Sequence, residues 1–423
     1  MAQADGPDSR YAWLRLCVSL LLMTIGASGM YVVSVVIPEV QADFGVDRSA
    51  ASMPYTAMMI GFGTGGILMG YAADRFGILV PSVVGAICLG LGFVAAGWAP
   101  GLTAFSLAQG VLMGLLGTAA TFSPLVADTT YWFDKRRGIA VAICASGNYV
   151  GGALWPPIAQ HFVESVGWRT TYVGIGVFCV ATMLPLSLLL RRRPPELPAA
   201  GSAPAPTERP VAARGVDFAR PLGMSPGTLM TVLCVAGVAC CVAMSMPQVH
   251  IVAYCADLGF GAARGAEMMS LMLGFGVVSR LVSGWVSDRI GGLRTLLLGS
   301  VLQTVALVLF LPFDGLASLY VISALFGLFQ GGIVPSYALV VREHFPAAQA
   351  GTRVSVVITS TLFGMALGGW MSGAIFDATG SYDAAFVNGI AWNLLNAGIA
   401  AFLLYRAGPL RRRGSPGAVA AAA

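Results

Sequence analysis

Gly70-Tyr71-Ala72-Ala73-Asp74-Arg75-Phe76-Gly77 is answered by Gly284-Trp285-Val286-Ser287-Asp288-Arg289-Ile290-Gly291, which begins 214 residues later, and this pair decides how the chain is read. Each octet closes an apolar run with an Asp-Arg charge pair and a glycine that lets the backbone turn. Two copies at matching places in two halves indicate an internal duplication, the sequence form of a carrier whose two similar bundles rock around a central site.

Working outward from the octets, cuts at charged or Pro/Gly-marked turns give apolar spans near residues 14 to 38, 52 to 73, 80 to 98, 104 to 127, 138 to 160, 169 to 190, 228 to 254, 266 to 287, 294 to 311, 317 to 341, 353 to 376 and 385 to 405. Runs of about 20 residues at 1.5 Å each cross a hydrocarbon layer about 30 Å thick. The composition agrees: 57% of residues are hydrophobic and 10% charged, against roughly 25% charged in an ordinary soluble domain. The expected fold is an all-α membrane protein with twelve transmembrane helices in two pseudo-symmetric six-helix bundles. The first run, from about Leu14 to Ile37, lacks the short core and cleavage site of a signal peptide and is read as a span.

An even number of spans puts both termini on one face. Of the 24 Lys and Arg, Arg48, Arg169 and Arg264 fall in loops of the opposite face and Arg280 inside a span, while all the others lie on the side of the termini. That asymmetry makes the terminal face cytoplasmic. The net charge of +5 is therefore a topology signal, and no nucleic-acid partner is expected. Residues 191 to 226 open with Arg191-Arg192-Arg193-Pro194-Pro195 and continue rich in Ala, Pro, Gly and Ser, as a linker does. The expected organisation is a cytoplasmic tail (1–13), a six-helix bundle (14–190), a cytoplasmic linker (191–226), a second bundle (227–406) and a cytoplasmic tail (407–423).

Nothing in the chain points to an enzyme. The eight Cys have no Cys-x-x-Cys or Cys/His ligand spacing, and neither a phosphate-binding loop nor a nucleophile elbow is present. Gly61-Phe62-Gly63-Thr64-Gly65-Gly66 lies inside an apolar span, without the strand-turn-helix context of a dinucleotide site. No cofactor or metal is expected.

Arg280 lies eight residues before Asp288, roughly 12 Å into the membrane at 1.5 Å per residue. A charge at that depth costs about 3 kcal/mol on insertion scales and usually faces a cavity or a partner. Positions 276 and 284, one turn to either side, are both Gly, which leaves room around a guanidinium fork suited to a carboxylate. The alternative is a structural pairing with a distant carbonyl or carboxylate. His250 follows Pro247, where the helix is expected to kink or break. Its ring is a candidate for substrate bonding and for the co-transported proton, and helix packing is the competing reading. Tyr31, Asn148, Gln330, Tyr337 and Thr359 are polar groups in apolar spans, open to substrate contacts or to helix-helix hydrogen bonds.

The duplicated Gly-x-x-x-Asp-Arg-x-Gly octet resembles the signature loop of the major facilitator superfamily, and the resemblance runs from about residue 14 to 405. It implies alternating access, with Asp74, Arg75, Asp288 and Arg289 gating as a cytoplasmic latch. Ile78 stands where a basic residue commonly follows, which implies a weaker charge network in the first copy. Tyr131-Trp132-Phe133-Asp134-Lys135-Arg136-Arg137-Gly138-Ile139-Ala140, with Ala145, Gly147 and Gly151, resembles the monocarboxylate transporter and oxalate/formate antiporter branch. Arg280 and Asp377-Ala378-Thr379-Gly380-Ser381-Tyr382 agree with that branch too. Animal members carry an Asp one turn before the eighth-span Arg, and Gly276 stands there instead, so their proton coupling does not carry over. The resemblance implies residence in a bacterial inner membrane.

The expected function is secondary transport of a small monocarboxylate such as lactate or pyruvate. One embedded Arg matches one negative charge. A co-transported proton would neutralise the anion against a potential worth about 2.3 kcal/mol per charge per 100 mV. Anion exchange of the oxalate/formate type and efflux of drugs or metabolites are the alternatives. The expected partners are a small organic anion, protons and the lipid bilayer, around a monomer.

Overall fold

In hydrocarbon no water satisfies a free backbone group, so each apolar run must close its hydrogen bonds within itself as a helix. A computed structural model, which describes residues 7–134, 136–192, 218 and 220–413, contains twelve helices of membrane-crossing length: α1 (Arg10–Val35), α2 (Arg48–Phe76), α3 (Leu79–Gly97), α4 (Leu102–Trp132), α5 (Gly138–Val166), α6 (Trp168–Leu188), α7 (Pro226–Asp257), α8 (Ala262–Ile290), α9 (Gly292–Leu309), α10 (Leu316–His344), α11 (Gln349–Thr379) and α12 (Asp383–Ala407).

They form two roughly symmetric bundles of six. Inside the first, α1 packs on α5, α2 on α4 and α3 on α6; inside the second, α7 packs on α11, α8 on α10 and α9 on α12. The octets obey the same symmetry down to the dihedral angle. Gly77 has φ 80° and ψ 166°, and Gly291 has φ 85° and ψ 163°. Their N–H groups donate to the carbonyls of Ala73 and Ser287, each at 2.8 Å. A side chain at either position would be strained in that left-handed region. Between the bundles, α5 packs on α8 and α2 on α11, with α1 against α7.

Several boundaries differ from expectation. The first helix starts at Arg10 rather than Leu14, and past the crossing segment of α12 the helix runs on to Arg413, beyond residue 406. Of the 191–226 linker, all but Arg191, Arg192, Phe218 and residues 220–226 lies outside the described residues, as does the tail beyond 413. Pro247 does not break α7, which runs as one helix from Pro226 to Asp257. The irregular backbone lies elsewhere. α4 contains a π-helical stretch, Ala108–Gly117, followed by a 3-10 turn, and α10 is interrupted between Gln330 and Ile333.

Arg15, counted in the sequence with the charges of the terminal face, is 2% exposed inside α1. Its Nε and Nη2 donate to the two carboxylate oxygens of Asp128 in α4 at 2.7 and 2.9 Å. Its Nη1 reaches the carbonyls of Leu190 and Arg192. The pair ties α1, α4 and the end of α6 together within one bundle.

Candidate substrate site

On α8 the exposed apolar residues Val278, Leu281, Val282 and Trp285 mark one face, while Met272, Leu273, Gly276 and Ser279 are buried on the other. Arg280 lies on the inner side of that divide, at the seam with α5 of the other bundle. Its Nη1 donates to the Ala145 carbonyl at 3.2 Å, and its guanidinium carbon lies 4.2 Å from the centre of the Tyr149 ring. Its Nε is buried without a hydrogen-bond partner. Among the described residues Arg280 pairs with no carboxylate. Arg15 and Arg48, which are buried where Arg280 is half-buried, pair with Asp128 and Asp257. One edge of the guanidinium is held by α5, and among the described residues the Nε/Nη2 edge meets no hydrogen-bond partner. That free edge is one fork, matched to two parallel N–H···O bonds from a single carboxylate.

Tyr31 and Asn148 come together beside it. The Tyr31 hydroxyl donates to Asn148 Oδ1 at 2.9 Å, with both side chains buried. Tyr31 lies within electrostatic reach of Arg280 and of the Tyr149 and Tyr55 hydroxyls. Approach is close here because residue 152 is glycine: a Cβ there would stand 2.8 Å from the Tyr31 ring and 2.5 Å from Leu273. The Ser270 hydroxyl donates to the Ala153 carbonyl across the same seam.

The remaining candidates separate. Gln330, at the interruption of α10, accepts from Gln248 Nε2 at 3.0 Å, and its own Nε2 is buried without a partner. Thr359 is half-buried in α11, on the seam with α2, where its methyl lies 3.9 Å from a Cβ built on Gly63. The Tyr337 hydroxyl donates to Asn396 at 2.7 Å, and Asn396 donates to Ser300, all inside the second bundle. That is a packing network linking α10, α12 and α9.

His250 is fully buried at the end of α7 away from the termini. Nε2 lies 2.8 Å from the Gly369 carbonyl, which only a protonated nitrogen can satisfy, and in the neutral ring Nδ1 then accepts from the Tyr382 hydroxyl at 3.2 Å. Both ring nitrogens are thus engaged. Tyr382 in turn accepts from Arg48 Nη1 at 2.8 Å, and Arg48 lies 3.1 Å from the Asp257 carboxylate. Asp377, at the end of α11, accepts the N–H groups of Arg48 and Ser49 at 2.9 and 2.8 Å and so caps the start of α2 from the other bundle. Burial pushes the Tyr382 hydroxyl up, against the pull of Arg48, so it stays protonated and able to donate. Together these groups fasten the two bundles at the distal end.

At the terminal end the octets are open. Asp74, Arg75, Asp288 and Arg289 are exposed, and among the described residues none pairs with an opposite charge of the other bundle. A Cβ added at Gly70 or Gly284 would meet nothing within 4 Å. The described polar ties between the bundles thus hold the distal face, and the octet charges have no described partner across the terminal one.

Sequence reading missed Tyr149, Arg48, Asp257 and Tyr382 as members of these clusters. The Asp377 to Tyr382 run was singled out, but its partner Arg48 lies more than 300 residues away and no spacing rule reaches it. Tyr149 carried one signal, a glycine one turn before an arginine inside a span, which leaves a notch for a ring.

A sequence profile described as the Major Facilitator Superfamily matches residues 19–318 and 256–422. The chain is 26% identical over 407 residues to Monocarboxylate transporter 13 of Bos taurus, covering 94% of this chain and 90% of that protein. It is 27% identical over 348 residues to the uncharacterized MFS-type transporter YcxA of Bacillus subtilis, covering 80% and 82%. Among solved structures, the peptide transporter POT in complex with sulfate superposes with a TM-score of 0.72 at 15% identity, covering 97% of each chain. A bacterial homolog of the human lysosomal transporter Spinster gives 0.69 at 15% identity over 95% and 97%. At such identity the last two speak for the fold.

Proposed function

The chain belongs to the major facilitator superfamily, and from that premise we propose that it is a proton-coupled carrier of small monocarboxylates of the lactate or pyruvate kind. As a member it is a secondary-active transporter that works by alternating access. The observation that carries the cargo assignment is the single unoccupied fork of Arg280: Nε buried and unpartnered, Nη1 tied to the Ala145 carbonyl, no carboxylate paired to it among the described residues. Leaving a buried donor unmade costs about 1–3 kcal/mol, more on a charged group, so a ligand that supplies the missing acceptor gains that much on binding. A monocarboxylate bound side-on to that fork restores both bonds and the charge balance together. The hydroxyl of Tyr31 and the amide of Asn148 lie beside the fork and suit the hydroxy or keto oxygen of such an acid. Gln330 offers a free Nε2, and Thr359 a hydroxyl on the opposite seam. Tyr337 supports the fold of the second bundle. The curated relative named for monocarboxylates supports the same class of cargo.

We assign the proton to His250. With the distal face closed, the two nitrogens of a neutral ring are both bonded, which leaves no acceptor for a proton. With that face open, Tyr382, Asp257, Asp377 and Arg48 move apart, and Nδ1 becomes the free acceptor. Closure then expels the proton, which ties its release to the step that turns the site toward the terminal face. Asp74, Arg75, Asp288 and Arg289 latch that face in the alternate state. In this reading the chain works as a monomer in a bacterial inner membrane, termini in the cytoplasm, as its positive charges favour.

Counterflow of labelled pyruvate in proteoliposomes, challenged with mono- and dicarboxylates and repeated with and without a pH gradient, tests the assignment. Monocarboxylates should compete, dicarboxylates should not, and an inward proton gradient should drive accumulation. Competition by dicarboxylates alone would reverse it and favour the oxalate/formate type of exchange; transport of apolar drugs with carboxylates inert would favour efflux.

A further inference from the structure

The guanidinium of the second bundle is held by the first. Tyr149 and Ala145 sit four residues apart on α5, one turn, and so present a ring and a carbonyl to the same side. The ring lies under Arg280 at 4.2 Å, and the carbonyl takes Nη1 at 3.2 Å. The ring fits there only because α8 has no side chain one turn before Arg280. A Cβ on Gly276 would stand 2.4 Å from Tyr149 Cε1 and 2.5 Å from Cδ1. Tyr149 is 7% exposed, so its ring meets the cation in a site largely shielded from water, where cation–π attraction is strongest.

We propose that Tyr149 is a positioning residue of the substrate site, its ring seated in the notch of Gly276 so that the Nε/Nη2 fork of Arg280 faces the cargo. This rests on the carboxylate reading of Arg280 and adds to it which groups aim the fork. The face of the ring fixes the guanidinium plane, the Ala145 carbonyl uses up one edge, and the other edge is left toward the cargo. Because the ring and the cation belong to different bundles, the fork is correctly aimed only while α5 and α8 keep this packing. Affinity is thereby tied to the conformation of the carrier without any further contact to the cargo.

The experiment uses the full chain in proteoliposomes and reads KM and maximal rate of pyruvate counterflow for Tyr149→Phe, Tyr149→Leu, Gly276→Ala and the Tyr149→Leu/Gly276→Ala double variant. Tyr149→Leu should raise KM about tenfold with the maximal rate much less affected, and Tyr149→Phe, which keeps the ring, should restore most of the affinity. Gly276→Ala should raise KM by displacing the ring. In the Tyr149→Leu background it should add little, since the atoms it collides with are gone. A wild-type KM in Tyr149→Leu, or full additivity of the two changes, overturns the proposal. If the wild type moves no monocarboxylate, the carboxylate reading fails separately. The positioning claim is then decided by phenylglyoxal modification of Arg280, followed by mass spectrometry of its peptide. Faster modification in Tyr149→Leu than in wild type and Tyr149→Phe supports it, and equal rates in all three overturn it.

Discussion

The Arg48 guanidinium donates to the Tyr382 hydroxyl at 2.8 Å across the boundary between the two bundles. The same arginine bridges to Asp257, stacks over Phe376 at 4.8 Å, and stands at a helix start capped by Asp377. All four of these partners belong to the second bundle, so Arg48 bears most of the polar closure of the distal face. Arg48→Ala should shift the carrier toward the distal-open state. Cys255 is fully buried two residues before Asp257, and its modification by an impermeant maleimide should quicken on the order of tenfold, as expected for the loss of such hydrogen bonds. An unchanged rate would remove Arg48 from the closure.

Arg15 and Arg280 show two ways of holding a guanidinium within a span. Arg15 is matched by Asp128 in a bidentate pair, with 2% and 6% of the two side chains exposed. Removing one member strands the other, at a cost of about 3 kcal/mol or more. Asp128→Ala should therefore lower the melting temperature sharply, and Arg15→Met/Asp128→Leu should recover most of the loss. A double variant as unstable as the single one would mean that the carbonyl contacts of Arg15, not the ion pair, hold α1 to α4.

Glu39 lies between α1 and α2, and its Oε2 is buried without a partner. Burial raises its carboxyl above the ordinary value of about 4.3, opposed by its own backbone hydrogen bond and reinforced by the charge of Glu164. Because the folded state holds the proton more tightly than the unfolded chain, the stability from this group is full below the ordinary carboxylate range. It is lost as pH rises through the raised value. Glu39→Gln should match the wild type in thermal stability at about pH 4 and surpass it increasingly toward pH 7. Parallel melting curves for the two proteins across that range would contradict this.

The octet charges are exposed, so substitutions there should leave this conformation intact. Asp74→Asn and Asp288→Asn should keep the melting temperature within about 1 °C, as surface changes do, and lower the maximal rate of transport with KM little changed. A fall in stability instead would show that the carboxylates serve the fold rather than the alternate state.

Much of the architecture was legible in the sequence, because hydropathy and length are the constraints that a bilayer imposes directly. All twelve spans and the duplication came from that signal and from the octets. Interruptions were harder to place. Pro247 was expected to kink or break α7, which runs through it as one helix, whereas the break in α10 falls at Gly331 and Gly332. Arg280 was legible because a charge in hydrocarbon demands a reason. His250 was expected near the passage, and its place in a sealed network with Tyr382 depended on contacts 132 residues apart in sequence. Tyr337 looked equivalent to Tyr31 as a polar group in an apolar span, and only packing tells that it faces Asn396.

The central claim is that the free fork of Arg280 binds the carboxylate of the cargo. Equilibrium binding of labelled pyruvate to the purified protein, compared between wild type and Arg280→Gln, tests it most directly. Glutamine keeps a donor and much of the volume but loses the charge and the fork. The account predicts that affinity falls on the order of a hundredfold while the melting temperature holds or rises, since an uncompensated buried charge has been removed. Binding of pyruvate within about twofold of wild type in Arg280→Gln would contradict it.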